Sequence, residues 1–201
     1  MTNPELDPYT AKAENDNLTP QKKITDLKAI MGVVKTAMLT TRSQDGFLHS
    51  RAMRPAGPHS ETDLTLVFIA NNASAKFDEL QNDSHVNVSY YDEKSTNWAS
   101  FSGIAKVSQN KELIKKHWSN IISGYFGDLG DGVHKGDEND PRVSVIEVVP
   151  DEIRYWLATQ GAIARTITTA VSAVTGSGNA PGELRTITKA EIQLTQGLHT
   201  K

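Results

Sequence analysis

The spacing of hydrophobic and polar positions changes period several times along the chain, and each change marks an element. "LTPQKKITDLKAIMGVVK" sets Ile24, Leu27, Ile30, Met31 and Val34 at helical spacing, with Thr19 placed to cap the run and Pro20 at its first turn. This predicts an amphipathic helix. From Thr36 the period becomes that of a strand: "TAMLTTR" and "FLHSRAMR" flank "SQDG", whose Asp45 and Gly46 predict a hairpin turn. "LTLVFIA", Leu64 to Ala70, is a nearly continuous apolar run of strand length and reads as a central strand. "NNASAKFDELQND" predicts a short helix, capped by Asn72 or Ser74, that buries Phe77 and Leu80. The strands "VNVSYY" and "WASFSGIAKV" follow, and Gly103 inside the second marks a bend, a bulge or a close backbone approach.

"NKELIKKHW" predicts a further helix with Leu113, Ile114 and Trp118 turned inwards and His117 on its surface. "VSVIEVVP" and "EIRYW" read as two closing strands around Pro150. Beyond them, Ile163, Ile167, Ala170, Val171 and Val174 form one helical stripe, and Thr188 with Glu191 forms a capping box. These elements divide the chain into an arm over residues 1–18 with little structure of its own, a barrel domain over 19–157, and a helical and extended tail over 158–201 that packs on the barrel or on a dimer partner. Short strands at close spacing, with helices inserted among them, favour a mainly β, antiparallel split barrel over a doubly wound parallel sheet.

Composition narrows the chemistry. A chain of 201 residues is long enough for one well-cored domain, and a net charge of -3 supplies no general field for nucleic acid or an anionic membrane. The absence of cysteine excludes disulfides, thiolate catalysis and the common zinc frameworks, and the six histidines form no paired-ligand motif. With no apolar leader and no run long enough to span a bilayer, the expectation is a cytoplasmic protein. The aspartate-rich "DLGDGVHKGDEND" lacks the register of a calcium loop, so no metal site is expected. Trp118, Tyr155 and Trp156 read as core and interface aromatics.

One strand poses a problem of charge. In "FLHSRAMRP", Phe47, His49, Arg51 and Met53 share one face, so Arg51 sits among half-buried residues, where a guanidinium either reaches water or meets an anion. The turn "FIANNASAK" supplies Ser74 and Lys76 at the start of a helix, a composition suited to an anion and equally to a plain capped helix. If the Arg51 strand lies beside the strand of Leu64 to Ala70, Arg51 and Lys76 converge on one phosphate, and the anion that Arg51 meets is a ligand and not a carboxylate.

The order "SRAM", "LVFIANNASAK", "VNVSYYDE", "WASFSGIAKV", "HW", "DP", "YW" resembles the FMN-binding split barrel of the pyridoxamine 5'-phosphate oxidase-like superfamily, general stress protein branch. The tail segments "APGELRTIT" and "EIQLTQGLHTK" resemble those of its fungal blue-light-inducible members. The resemblance implies a Greek-key split barrel and a homodimer that holds FMN, rather than FAD or a deazaflavin, between protomers. It implies that Arg51, Ala52 and Met53 touch the flavin and its phosphate, that Ile69 and Ala70 meet the cofactor at the strand end, and that Ser74 and Lys76 bind phosphate. It also implies that Trp98 and Ser100 reach the flavin from the partner chain. Ala70 stands where the family has threonine and Ala75 where it has a phosphate-binding arginine, a loss that implies either weaker FMN binding or compensation by Arg54. Because "EIRYWLATQG" lacks the arginine and histidine that hold pyridoxine phosphate, pyridoxamine phosphate oxidation is not implied. Three readings stay open: a flavin-dependent oxidoreductase with its catalytic residues unassigned, a non-catalytic flavin carrier or stress- and light-linked sensor, and an interaction module that has lost flavin.

Overall fold

The computed structural model describes residues 11, 13–57, 63–161 and 181–197. The predicted stripe at Ile163 to Val174 lies outside them. Helix α1 (Pro20–Val33) starts as its sequence dictates: the Thr19 hydroxyl accepts from the Lys22 N–H, and Ile24, Leu27 and Ile30 are buried. A hairpin of β1 (Ala37–Arg42) and β2 (Leu48–Met53) follows, closed by a turn in which Gly46 has a φ of 87°.

The remaining elements are β3 (Leu66–Asn71), α2 (Lys76–Asn82), β4 (His85–Tyr91), β5 (Trp98–Ser108), α3 (Lys111–His117), α4 (Asn120–Ser123), β6 (Val143–Ala158), β7 (Gly182–Ile187) and α5 (Lys189–Gly197). They build one mainly β, antiparallel seven-stranded sheet ordered β2-β1-β4-β5-β6-β3, with β7 also paired to β6. The sheet curls without closing. Its end strands, β2 and β3, share no ladder, and the Ala56 N–H donates to the Val67 carbonyl at 2.7 Å just beyond the end of β2.

Three expectations are corrected here. β3 is an end strand of this order and does not lie beside β2. Its apolar run reflects two covered faces: Leu66, Phe68 and Ala70 enter the main core, while Val67 and Ile69 pack on a smaller cluster with Ile114 and Phe126. The residues around Pro150 form one strand of 16 residues, whose β5-facing edge is paired along its length while its other edge takes β3 and then β7. Pro150 is accommodated because the register shifts there: Ser102 lies opposite Glu152 and Gly103 opposite Pro150, leaving Asp151 as the extra residue of a bulge. Finally, His117 is buried at 5 % exposure, with Nδ1 3.0 Å from the Gly57 carbonyl oxygen, so it is no surface residue.

The first and last described segments, around residues 13–15 and 181–197, join the body. The Asn15 N–H donates to the Leu184 carbonyl at 3.0 Å, and Ala13 is buried. The predicted capping box forms, with the Thr188 N–H donating to Glu191 at 2.8 Å and the Glu191 N–H to the Thr188 hydroxyl at 3.3 Å. Glu191 also meets the buried Lys23 ammonium of α1 at 2.9 Å, and Lys23 Nζ donates to the Thr186 carbonyl at 2.8 Å. In the loop before β6, the buried Asp140 carboxylate pairs with Arg142 at 2.7 Å and accepts from the Gly136 N–H at 2.8 Å.

Candidate functional site

Alternation along β2 turns His49, Arg51 and Met53 towards the inner side of the sheet, where α2 covers the end of β1. There the structure supplies the partner for Arg51. Arg51 Nη2 lies 2.7 Å from Glu79 Oε2, and Nη1 donates to the Thr41 hydroxyl at 2.5 Å and to the Leu39 carbonyl at 3.3 Å. The anion that Arg51 meets in this structure is therefore a carboxylate, contrary to the expectation from sequence. Half-burying a guanidinium on this strand is tolerated because both of its terminal nitrogens find acceptors.

Glu79 is the hub. It is 7 % exposed, its Oε2 also accepts from Thr41, and its Oε1 lies 2.5 Å from His49 Nδ1. Burial alone would raise its pKa, but hydrogen bonds from His49, Thr41 and Arg51 outweigh it and hold the carboxyl at about 2. Sequence reasoning missed Glu79, Thr41 and His49 as members of this group. A partial signal was present: Thr41 stands opposite His49 in the hairpin register, one step from Arg51 opposite Leu39. Nothing local in sequence says that α2 folds back over that pair.

Lys76 lies at the first position of α2, and Ala75, not Asn72 or Ser74, occupies the cap position, with no side-chain cap. Ser74 instead donates its hydroxyl to the Asn71 carbonyl at 2.8 Å and accepts from Lys76 Nζ. The ammonium also stands 5.6 Å from the Phe77 ring centroid and forms no ion pair with a described residue. Desolvation lowers its pKa first, the Arg51 charge lowers it further, and Glu79 opposes both. Lys76 thus stands near enough to Arg51 and Glu79 to feel both charges, with the Ser74 hydroxyl on its ammonium.

The other candidates separate into three places. Ala52, Met53, Arg54 and Ile69 line a cleft of about 1010 Å³ at the open side of the sheet, which Arg51, Ser74 and Lys76 do not line. Ala70 points into the core and is 7 % exposed. Trp98 and Ser100 occupy the opposite, outward face of β5, where Ser100 accepts from Asn87 Nδ2 at 2.7 Å. Within one chain they do not meet the Arg51 group. Among the described residues no group of three or more His, Asp or Glu is arranged to hold a metal, and no helix is long and apolar enough to cross a membrane.

The fold is shared with known proteins. The chain is 35 % identical over 198 residues to Protein bli-3 of Neurospora crassa, covering 98 % of this chain and 94 % of that protein. Its fold matches General Stress Protein 26 from Bacillus anthracis with a TM-score of 0.55 at 21 % identity, over 66 % of this chain and 92 % of that one. It also matches a pyridoxamine 5'-phosphate oxidase-related, FMN binding protein from Nostoc punctiforme with a TM-score of 0.53 at 14 % identity, over 76 % of this chain and 85 % of that one. The model of the family described as pyridoxamine 5'-phosphate oxidase like matches residues 22–179, which take in nearly all of α1, strands β1 to β6 and the turn of Ser74 and Lys76, and it is to this family that the chain belongs.

Proposed function

We propose that the protein binds FMN and acts as a flavin-dependent oxidoreductase without pyridoxamine phosphate oxidase activity, as a cytoplasmic homodimer. The observation that carries this reading is Lys76: a partly desolvated ammonium held near the Arg51 guanidinium, with the neutral Ser74 hydroxyl as its polar partner. Two cations kept close without a carboxylate on the second suit a phosphate. Arg51, Ser74 and Lys76 would hold that phosphate, and Arg54 would add a further cation from the end of β2. The exposed backbone of Ala52 and Met53, with Ile69 and Ala70 across the split, would flank the ring system. Trp98 and Ser100 would come from the second protomer, since on their own chain they face away. FMN supplies the electron transfer when bound; the chain positions it and excludes water. The outward face of β1, β2 and β4 exposes Met38, Leu48 and Tyr91, in keeping with a covering partner.

A specific observation favours a second reading, an interaction module without flavin: Glu79 already satisfies Arg51. Titrating FMN into purified, flavin-stripped protein and following quenching of its fluorescence separates the two. Saturable binding that Arg51→Ala and Lys76→Ala each weaken by about 1.5–3 kcal/mol supports the flavin site. No binding by a folded wild-type dimer leaves the interaction module.

A further inference from the structure

Glu79 does more than satisfy Arg51. It stands three residues after Lys76 on α2, a spacing that puts two side chains on one helix face, yet among the described residues the two form no ion pair. The carboxylate turns instead to the hairpin, where it meets Arg51 Nη2 at 2.7 Å and His49 Nδ1 at 2.5 Å, while the Lys76 ammonium bonds the Ser74 hydroxyl. Lys76 still feels both neighbours. After desolvation, the Arg51 charge lowers its pKa and the Glu79 charge raises it, so the three charges lie within reach of one another.

An anion that approaches the two cations therefore also approaches a fixed carboxylate. Burial opposes the ionisation of Glu79, but hydrogen bonds from His49, Thr41 and Arg51 hold its carboxyl at about 2, so it is charged at neutral pH. It is buried and gripped from both strands of the hairpin. With His49 counted as neutral, Arg51 and Lys76 against Glu79 leave one net positive charge, and Ala75 between Ser74 and Lys76 adds none. A phosphate monoester carries close to two negative charges at pH 7. Its repulsion by a buried carboxylate is screened far less than between exposed groups. Room for such a ligand remains on Arg51: a guanidinium has five N–H donors, and three are given to Glu79, Thr41 and Leu39.

We propose that Glu79 is a built-in competitor of the phosphate site: it holds Arg51 in place without a ligand and, through its charge, keeps a phosphate monoester at Arg51 and Lys76 weakly held and exchangeable. The inference rests on the reading of Arg51 and Lys76 as a phosphate site; that the phosphate belongs to FMN is a separate step. On that step, the flavin comes and goes as a substrate does and is not retained as a prosthetic group. The pairing of Arg51 with Glu79 and the binding of phosphate are then compatible, because the carboxylate limits affinity without filling the site.

The test titrates three probes into the flavin-stripped full chain: phenyl phosphate, followed calorimetrically, and FMN and riboflavin, followed by flavin fluorescence. Glu79→Gln keeps the shape and an oxygen for Arg51 but removes the charge. It should bind phenyl phosphate and FMN about tenfold more tightly than wild type, the scale of one unit charge a few ångströms away at a partly buried site. Riboflavin, which has the ring system and no phosphate, should bind both alike. Thr41→Val keeps the charge and removes the hydroxyl that bonds Glu79 and Arg51, so it should not tighten either phosphate. An equal gain in Thr41→Val would show that loosening Arg51 matters and charge does not, which overturns the proposal. Wild type loaded with FMN should lose it on gel filtration, and FMN retained at one per chain overturns the proposal even if Glu79→Gln does not fold. Phenyl phosphate behaving as expected with no FMN bound removes the flavin reading alone. FMN bound as tightly by wild type as by Glu79→Gln removes this proposal alone, and no phosphate probe bound by any folded chain removes both.

Discussion

Glu79 shows how one carboxylate ties three elements together. Its oxygens accept hydrogen bonds from Thr41 on β1 and from His49 and Arg51 on β2, while its own backbone belongs to α2. Removing Arg51 leaves that buried carboxylate short of its guanidinium donor, so Arg51→Ala is expected to lower stability by about 1–3 kcal/mol in urea unfolding. The double variant Arg51→Ala, Glu79→Gln should recover part of the loss, and strict additivity of the two changes would show that the pair is not coupled. The pH dependence follows from the depressed pKa. A carboxyl held at about 2 when folded, against an ordinary 4.5, contributes stability that is fully present above 4.5 and is lost as the pH falls from there through about 2. Glu79→Gln should flatten acid unfolding in that window, as read by circular dichroism. His49 and Arg51 were visible in sequence as polar residues on one strand face; their meeting with Glu79 was not, because it depends on where a helix 28 to 30 residues later comes to rest.

Among the elements, β5 and β6 carry the strongest local constraint. A Cβ on Gly103 would lie 2.2 Å from the Val149 carbonyl oxygen and 2.8 Å from the Pro150 Cα, both backbone atoms that cannot move aside. Gly103→Ala should therefore cost about 1–3 kcal/mol or more, measured as a shift of the urea midpoint. Glycine inside a strand pattern announced a close approach, and the approach is there. Its partner was misread because Pro150 suggests a strand end, while in the folded sheet the bulge at Asp151 absorbs the irregularity and the strand runs on. β3 was misplaced for a related reason: a continuous apolar run reports burial on both faces and is silent about which edges are paired.

At the scale of the molecule, the described part of the tail, residues 181–197, is part of the core. Ile187 on β7 and Ile192 on α5 join the same buried cluster as Leu27, Leu39 and Phe101, and the Tyr155 hydroxyl donates to the Lys23 carbonyl of α1 at 2.9 Å. Ile187→Ala should accordingly cost about 2–5 kcal/mol, on a par with Leu39→Ala, whereas Leu129→Ala, at 60 % exposure, should stay within about 0.5 kcal/mol of wild type. Thermal and urea unfolding of the three variants side by side checks this; a silent Ile187→Ala would make the tail an appendage.

Local sequence by itself determined the helix of Thr19 to Val34 with its cap, the Asp45-Gly46 hairpin, the glycine constraint at 103, the capping box at Thr188 and the basic turn at Ser74 and Lys76, because each depends on residues within a few positions of one another. Tertiary structure alone decided that β2 and β3 end the sheet and leave a split, that β6 serves two strands along one edge, and that Arg51 meets Glu79. Those features join residues tens of positions apart, and no local pattern of hydrophobic and polar residues encodes which distant edges and side chains the folded chain brings together.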